Sequence, residues 1–144
     1  MTSARKLDRA YRRAIYRVEL QTGSLDFAVS VASEGLCRLL RSHGAETAAF
    51  LTACNPGSRP RAAAANETAH AALLAALSPL GHTVLPGVAL DPDGIWPAEP
   101  SLLVLGIGRA DATATARLFR QNALVWMDAG GTPELVWAVP PESL

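Results

Sequence analysis

Two uninterrupted apolar segments constrain the fold of this chain more than any other feature of its sequence. They are TAAFLTAC at residues 47–54 and SLLVLGI at residues 101–107, and each has the length of one β-strand. Successive side chains of a strand point to opposite faces of a sheet, so a strand that is apolar throughout is buried on both faces. We therefore predict that these segments are the central strands of a sheet whose two faces are both covered.

Helical periodicity predicts the elements that cover this sheet. Apolar residues recur at spacings of three and four in four segments, which predicts helices at about residues 3–14, 33–43, 62–80 and 109–121. Shorter alternating or apolar segments predict five further strands, at residues 16–20, 25–31, 82–90, 123–128 and 133–139. Pro86 and Gly87 interrupt one of these strands, which favours an edge position or a bulge.

The order of these elements predicts an α/β fold, with α+β as the alternative. The first two strands, joined by QTGS, and the last two strands are expected to form antiparallel hairpins, whereas the strand–helix–strand segments between them favour parallel neighbours. We therefore expect a single-domain sandwich over residues 1–144, with a mixed sheet of six or seven strands. Residues 1–10 are expected to form a basic helix with a frayed start.

The charge and hydropathy of the chain argue against several classes of partner. Thirteen Lys and Arg balance thirteen Asp and Glu, so no overall field attracts nucleic acid or a membrane surface. The basic residues near the start form either an arm that contacts phosphates or, as we favour, the solvated face of an amphipathic helix that includes Leu7 and Tyr11. No segment reaches the roughly 18–20 apolar residues of a membrane helix, and we recognise no signal peptide, so we expect a cytoplasmic protein.

Polar residues follow the first predicted central strand. If the two central strands are parallel neighbours, the loops after residues 54 and 105 open on the same edge, where open α/β sheets bind ligands. Pro56 is expected to restrict Asn55 to an extended conformation and so direct its amide away from the strand end. Asn55 and Ser58 then either recognise a polar ligand or close an Asx-type turn.

The helix predicted after this loop carries two polar residues on an apolar face. Asn66 and His70 share a face with Leu73 and Leu77, because their spacings follow the helical repeat. They either are hydrogen-bonded core residues or line a pocket. The histidines of the chain show no spacing typical of metal ligands, so no metal site is predicted.

The second loop is better explained by helix capping than by nucleotide binding. GIGRAD at residues 106–111 resembles half of the dinucleotide-binding pattern G-x-G-x-x-G, but Asp111 stands in place of the third glycine. An acidic residue in the first turn of a helix repels a pyrophosphate at that position. We therefore predict that Gly108 is the N-cap and that Asp111 lies in the first turn.

Two further pairs of polar residues lie at element junctions. Gln121 and Asn122 precede the strand at residues 123–128, and Asn122 suits the left-handed position that ends a helix. Glu99 and Ser101 flank Pro100 ahead of the second central strand. Glu99 is the best candidate acid or base if its loop covers a pocket, and a solvated loop carboxylate otherwise.

Four ordered motifs resemble a bacterial family known as domain of unknown function 3293. They are LTACNPGS (51–58), Asn66, WPAEPSLLVLG (96–106) and QNALVW (121–126), and YRVEL near the start is similar to the opening strand of the family. The resemblance extends from about Tyr11 to Val136. The motif residues of the family correspond to Asn55, Pro56, Ser58, Asn66, Glu99, Ser101, Gln121 and Asn122.

Departures from the family pattern weaken a catalytic or salt-bridged role for the long helix. The family usually has glycine at Arg120 and an aromatic residue at Cys54, and an acid and an arginine at Ala65 and Ala69. The resemblance does not indicate which activity or which cofactor the protein has.

These residues lead to one principal hypothesis and two alternatives. We expect a small cytoplasmic α/β protein that binds a small polar ligand, one class being nucleotide-like, in a cleft rich in amides and hydroxyls. Asn55 and Gln121 would make paired hydrogen bonds, Glu99 would accept one, and Trp96 would cover or stack on the ligand. The candidate ligand-binding residues are Asn55, Ser58, Asn66, Trp96, Glu99, Ser101, Gln121 and Asn122.

The first alternative is a non-catalytic structural or protein-interaction module, in which the same polar residues hold the loops together. The second is a hydrolase or transferase that uses Glu99 or His70. The principal hypothesis requires that Asn55, Glu99 and Gln121, which are far apart in the chain, line a common hollow.

Overall fold

A computed structural model describes residues 3–144 as a seven-stranded sheet with four α-helices. In chain order the elements are α1 (Ala4–Arg13), β1 (Ile15–Leu20), β2 (Gly23–Phe27), α2 (Glu34–Ser42), β3 (Thr47–Leu51), α3 (Ala63–Leu77), β4 (Thr83–Leu90), β5 (Glu99–Leu105), α4 (Arg109–Leu118), β6 (Ala123–Asp128) and β7 (Glu134–Trp137). The four predicted helices and the prediction of six or seven strands are confirmed, with shifts of a few residues at the element ends.

The prediction of a mixed sheet is wrong, because every strand pair in the described chain is antiparallel. The strand order is β2-β1-β4-β5-β3-β6-β7. The crossovers through α3 and α4 do join strands of the same direction, β3 to β4 and β5 to β6. In each case, however, an antiparallel strand lies between the two. The crossover rule therefore gives the correct relative direction but not the neighbour.

The two apolar segments form the neighbouring central strands β3 and β5, as predicted. Their pairing runs from Ala48 with Leu105 to Leu51 with Leu102. Alternate residues enter two separate hydrophobic clusters, one shared with leucines of α2 and the other shared with α3 and α4. Both faces of these strands are therefore buried over residues 48–51 and 102–105, as the apolar character of those residues indicates.

The expectation that Pro86 and Gly87 mark an edge position or a bulge is wrong, because β4 lies between β1 and β5 and pairs with each in a continuous register without an extra residue. A Cβ atom at Gly87 would lie 2.8 Å from the backbone oxygen of Arg17 and 2.8 Å from the ring of Phe50. Pro86 lies one residue beyond the last pair of the β1–β4 ladder, Val18 with Gly87. The dipeptide therefore marks a close approach of backbones and the end of one ladder.

The first hairpin is tighter than predicted. Leu20 pairs with Gly23, so a two-residue turn replaces the expected four-residue connection. Gly23 has a φ of 138°, a conformation that glycine adopts without steric cost. This conformation lets β2 begin two residues earlier than the alternation of side chains indicates.

The basic start of the chain forms the amphipathic helix α1, with Leu7 buried on its inner face. Arg12 pairs with Asp8, and Arg13 pairs with Asp93 on the loop before β5. These cations therefore lie on the solvated face, as we favoured. The expected frayed start falls on residues 1 and 2, which lie outside the described residues. None of the described helices is long and apolar enough to cross a membrane.

The antiparallel pairing decides which loops meet. Because β3 runs antiparallel to both β5 and β6, its carboxyl end lies beside the amino ends of those two strands. The loop at Gly106 lies at the opposite end of β3, where its N–H donates to the carbonyl oxygen of Thr47 at 2.7 Å. The expectation that the loops after residues 54 and 105 share an edge is therefore wrong. The helix start there is as predicted, with Gly108 as N-cap and Asp111 in the first turn.

Candidate functional site

Left-handed backbone conformations form the loop after β3. Asn55 has φ 49° and ψ 60°, which contradicts the extended conformation expected before Pro56. Gly57 and Ser58 also have positive φ values. Asparagine tolerates this region better than most residues, yet such a conformation costs about 1 kcal/mol or more and persists only where the surroundings impose it. Hydrogen bonds between Asn55 and the side chains of Asn66 and Glu99 supply those surroundings.

Asn55 is the centre of a hydrogen-bond network that joins three elements. Its Nδ2 donates to Glu99 Oε2 at 2.7 Å, and its Oδ1 accepts from Asn66 Nδ2 at 2.9 Å and from the backbone N–H of Arg61 at 3.0 Å. The backbone N–H of Asn55 donates in turn to Asn66 Oδ1 at 2.9 Å. The two asparagines therefore bind each other reciprocally across the start of α3.

The Asx-type turn considered for Asn55 and Ser58 does not form through the asparagine side chain. The N–H of Ser58 donates to the backbone oxygen of Asn55 at 2.9 Å, so the backbone closes the turn. The Ser58 hydroxyl instead lies 3.3 Å from the Tyr11 hydroxyl and accepts from Asn122 Nδ2 at 2.9 Å. Ser58 thereby connects α1 to the start of β6.

The start of β6 is tied to the same loop by a second amide. Gln121 is buried, and its Nε2 donates to the carbonyl oxygens of Cys54 at 3.1 Å and Phe119 at 3.3 Å. Arg120, with φ 56°, occupies the left-handed position after α4 that we predicted for Asn122. The bonds from Arg120 N to Arg117 O and from Gln121 N to Ala116 O form a Schellman motif, which assigns that position to Arg120.

A cavity of about 750 Å³ opens beside this network, and we call it the Glu99 cavity. Seven of the eight candidate residues line it: Asn55, Ser58, Asn66, Trp96, Glu99, Ser101 and Gln121. Asn122, the eighth, lies behind Ser58 and lines a neighbouring groove instead. Asn55, Glu99 and Gln121 therefore border one hollow, although 66 residues separate the first from the last.

Glu99 is a partly buried carboxyl group on the cavity wall. Burial raises its pKa above the usual value for glutamate, and the hydrogen bond from Asn55 acts in the opposite direction. Burial is also the main cause that raises the pKa of Tyr11, Tyr16 and Cys54, and the negative charge of Glu99 raises each of them further. Removal of the Glu99 charge would therefore favour ionisation of its neighbours, whereas a bound donor would favour the Glu99 carboxylate.

Comparison with protein families identifies this part of the chain. The family described as Protein of unknown function (DUF3293) matches residues 51–124, just over half of the chain. The chain belongs to this family. The DUF3293 match contains all eight candidate residues and ends within the QNALVW motif. No curated protein and no solved structure matches the chain.

Several residues of the cavity wall lie outside the DUF3293 match or were not recognised from the sequence. Tyr11 and Tyr16 precede the match, and Tyr16 donates from its hydroxyl to the backbone oxygen of Tyr11 at 2.7 Å. Cys54 lies within the match and is buried beside Gln121. The sequence places all three in apolar patterns, which describe burial but not the neighbouring cavity.

His70 and Arg109 lie outside the Glu99 cavity. His70 does not line the Glu99 cavity, and its buried Nδ1 has no hydrogen-bond partner within residues 3–144. Arg109 pairs with Glu134 at 3.1 Å near the opposite edge of the sheet. The described part of the chain contains no group of three or more His, Cys, Asp or Glu residues arranged to hold a metal ion.

Proposed function

We propose that the Glu99 cavity binds a small polar ligand and that the Glu99 carboxyl contacts it. The observation that carries this proposal is the placement of Glu99. Its Oε2 is held by Asn55 at 2.7 Å, and within residues 3–144 this is the only side-chain hydrogen bond to the carboxyl. The second oxygen therefore accepts a hydrogen bond from a ligand without losing a protein contact. Hydrogen bonds to a charged group contribute about 1.5–3 kcal/mol.

The chemistry of the walls indicates a planar ligand with N–H donors. Trp96, Tyr11 and Phe50 line the cavity, and aromatic side chains provide stacking surface beside a small number of polar groups. A planar ring such as a nucleobase combines a flat apolar face with an edge whose N–H groups donate to a carboxylate. The volume of about 750 Å³ lies in the range of small-molecule sites.

The amides have a positioning role in this proposal. The hydrogen bonds of Asn55, Asn66 and Gln121 go to protein groups, so these side chains orient the loop and hold Glu99. The earlier hypothesis gave Asn55 and Gln121 direct contacts with the ligand. Here Glu99 makes the principal contact, because the amides already have protein partners.

A structural or protein-interaction module is the second candidate, and one observation favours it. The same network links the loop after β3 to α3, β5 and β6, which is what loop stabilisation alone requires. In that case the cavity has no ligand, and the polar residues contribute only to stability. For the other alternative, a hydrolase or transferase that uses Glu99 or His70, His70 has no support because it lies outside the cavity.

A thermal-shift screen of nucleosides, nucleotides and common metabolites tests the proposal. A ligand at 100 times its dissociation constant stabilises a protein by roughly 2.7 kcal/mol. We expect at least one compound to stabilise the wild-type protein but not Glu99→Gln, which retains an acceptor for Asn55. Glu67→Gln is the matched control, since Glu67 is an exposed carboxylate on the same cavity lining.

Two outcomes would contradict the proposal. In the first, no compound of the library stabilises the wild-type protein, which favours the structural module. In the second, Glu99→Gln responds to a compound as strongly as Glu67→Gln does, which removes Glu99 from the site.

A further inference from the structure

A second opening adjoins the Glu99 cavity, and its lining is positively charged. This groove has a volume of about 740 Å³ and is lined by Arg59, Arg61 and Arg120. No aspartate or glutamate is among the described residues that line it. We call it the arginine groove. It brings together cations from the loop after β3 and from the end of α4.

The three groove arginines have no carboxylate partner within residues 3–144, unlike five of the nine other arginines. Five arginines elsewhere pair with carboxylates, among them Arg17 with Asp26 and Arg109 with Glu134. Within residues 3–144, none of the three groove arginines forms such a pair. Like charges that share one groove repel each other, and an anion bound between them removes that repulsion.

The backbone holds one of these arginines in an unfavourable conformation. Arg120 has a φ of 56°, where a residue with a Cβ atom is strained and glycine is not. Its carbonyl oxygen accepts from the N–H of Gly57 at 2.7 Å, which fixes the end of α4 against the loop that carries Arg59. The guanidinium groups therefore project from two segments whose relative position is fixed.

Apolar surface lies directly beside the charges. Leu118 and Phe119 line the same groove, and Leu118 is 70% exposed although it is a large aliphatic side chain. Ala53 and Ala69 also contribute to the lining. A bare inorganic anion would leave this surface uncovered, whereas an organic molecule would cover it.

We propose that the arginine groove is a second binding site, which takes an organic phosphate. The phosphate contacts Arg59, Arg61 and Arg120, and the organic part lies on Leu118 and Phe119. Arginine suits this ligand because its guanidinium donates two parallel hydrogen bonds to phosphate oxygens. Arg59 and Arg120 do not line the Glu99 cavity, so this proposal does not depend on a ligand there.

Phenyl phosphate, inorganic phosphate and phenol are the probes that test this site. Amide chemical shifts followed by NMR report binding, and Gly57 is a suitable reporter because it lines the groove. We expect phenyl phosphate to bind with a dissociation constant of about 1 mM or lower, and more tightly than either other probe. Binding is expected to weaken as salt is added, since exposed charges are screened.

Arg59→Gln combined with Arg120→Gly is the informative variant. It removes two guanidinium groups, and glycine relieves the left-handed conformation at residue 120, so the fold is retained. We expect it to bind phenyl phosphate about tenfold more weakly. Arg41→Gln is the matched control, because Arg41 is an exposed arginine on α2 outside the groove; it is expected to bind as the wild-type protein does.

Each other outcome overturns a stated part of the proposal. If phenyl phosphate does not bind, or if Arg41→Gln weakens its binding as much as the double variant does, the groove is not the binding site. If inorganic phosphate binds as tightly as phenyl phosphate, the proposed contact between an organic group and the apolar surface is wrong, and the site holds the free anion. If a single-stranded oligonucleotide binds about a hundredfold tighter than phenyl phosphate, the groove belongs to a nucleic-acid surface instead.

Discussion

The Glu99 cavity and the arginine groove share one wall but differ in how their polar and charged groups are paired. Segment 55–61 separates them. Asn55 and Ser58 face the cavity, Gly57 and Arg59 face the groove, and Arg61 borders both. In the cavity, partly buried polar groups bind one another, whereas in the groove charged groups remain exposed and apart from carboxylates. One short loop thus provides both a satisfied polar network and an unsatisfied charged surface.

Because of this difference, substitutions in the cavity network and in the groove are expected to affect different properties, folding stability and anion binding. A buried polar group that loses its partner costs about 1–3 kcal/mol, so substitutions in the cavity network are expected to destabilise the fold. Exposed charges contribute little, and their substitution usually changes stability by less than about 0.5 kcal/mol. Substitutions in the groove are therefore expected to affect anion binding with little effect on folding.

The largest effect is expected for Asn55→Ala. This change leaves Glu99 Oε2, Asn66 Nδ2 and the N–H of Arg61 without their partner and places alanine in a left-handed conformation. We expect a loss of about 2–4 kcal/mol in the free energy of unfolding, measured by urea denaturation.

Asn55→Gly is the matched control for this prediction. Glycine removes the same side chain but adopts the left-handed conformation freely, so this variant is expected to be more stable than Asn55→Ala by about 1 kcal/mol. If both variants are as stable as the wild-type protein, the network does not hold the loop, and the contrast between cavity and groove fails.

A smaller effect of opposite sign is expected for Arg120→Gly. The substitution relieves the left-handed strain at the end of α4, so we expect a gain of about 0.5–1 kcal/mol in the free energy of unfolding. Arg41→Gly places glycine inside α2 instead and is expected to lose about 0.5–1 kcal/mol. Equal changes in the two variants would show that the conformation at residue 120 stores no strain.

The most subtle effect is a change in pH dependence in Glu99→Gln. Because the pKa of Glu99 is raised in the folded protein, the folded state binds more protons than the unfolded state between the two pKa values. The stability that Glu99 contributes is therefore present at acid pH and is lost as the pH rises through its folded pKa. Glu99→Gln removes this titration, so its stability relative to wild type is expected to increase as the pH rises above about 4.5.

Asp26→Asn provides a contrast of opposite sign. The hydrogen bond from Arg17 lowers the pKa of Asp26, so its contribution is present above the usual pKa and lost as the pH falls. Relative to wild type, Asp26→Asn is expected to become less stable as the pH rises. Urea denaturation at several pH values measures both slopes, and equal slopes would contradict the burial of Glu99.

Much of the fold follows from local patterns in the sequence. The helices and the two fully buried strands were predicted because burial leaves a period of 3.6 or a continuous apolar segment in the chain. The same reasoning failed for Pro86 and Gly87, where a dipeptide typical of an edge lies inside the sheet. Glycine is required at residue 87 because the ring of Phe50 and the backbone of β1 approach it closely, and the sequence of β4 does not reveal this approach.

The sequence predicted most residues of the candidate site but not their conformations. Seven of the eight candidate residues do line one cavity, and the resemblance to the DUF3293 family named most of the same positions. The conformations of Asn55 and Arg120 were not predicted, because rules for single residues favour other conformations there. Hydrogen bonds with the distant residues Asn66 and Glu99 hold Asn55 in its conformation, whereas the Schellman motif at the end of α4 assigns the left-handed position to Arg120. Tyr11 was missed because a helical apolar stripe does not reveal what lies beyond it.

The sequence by itself determined the elements, the two strands buried on both faces and the polar residues at strand ends. Only the tertiary structure decided that β3 runs antiparallel to β5 and β6, and therefore that Glu99 and Gln121 rather than Gly106 lie beside Asn55. The physical reason is that a strand covered on both faces is apolar at every position whichever way its neighbours run. Direction and register are set by contacts between distant segments, and a local pattern does not record them.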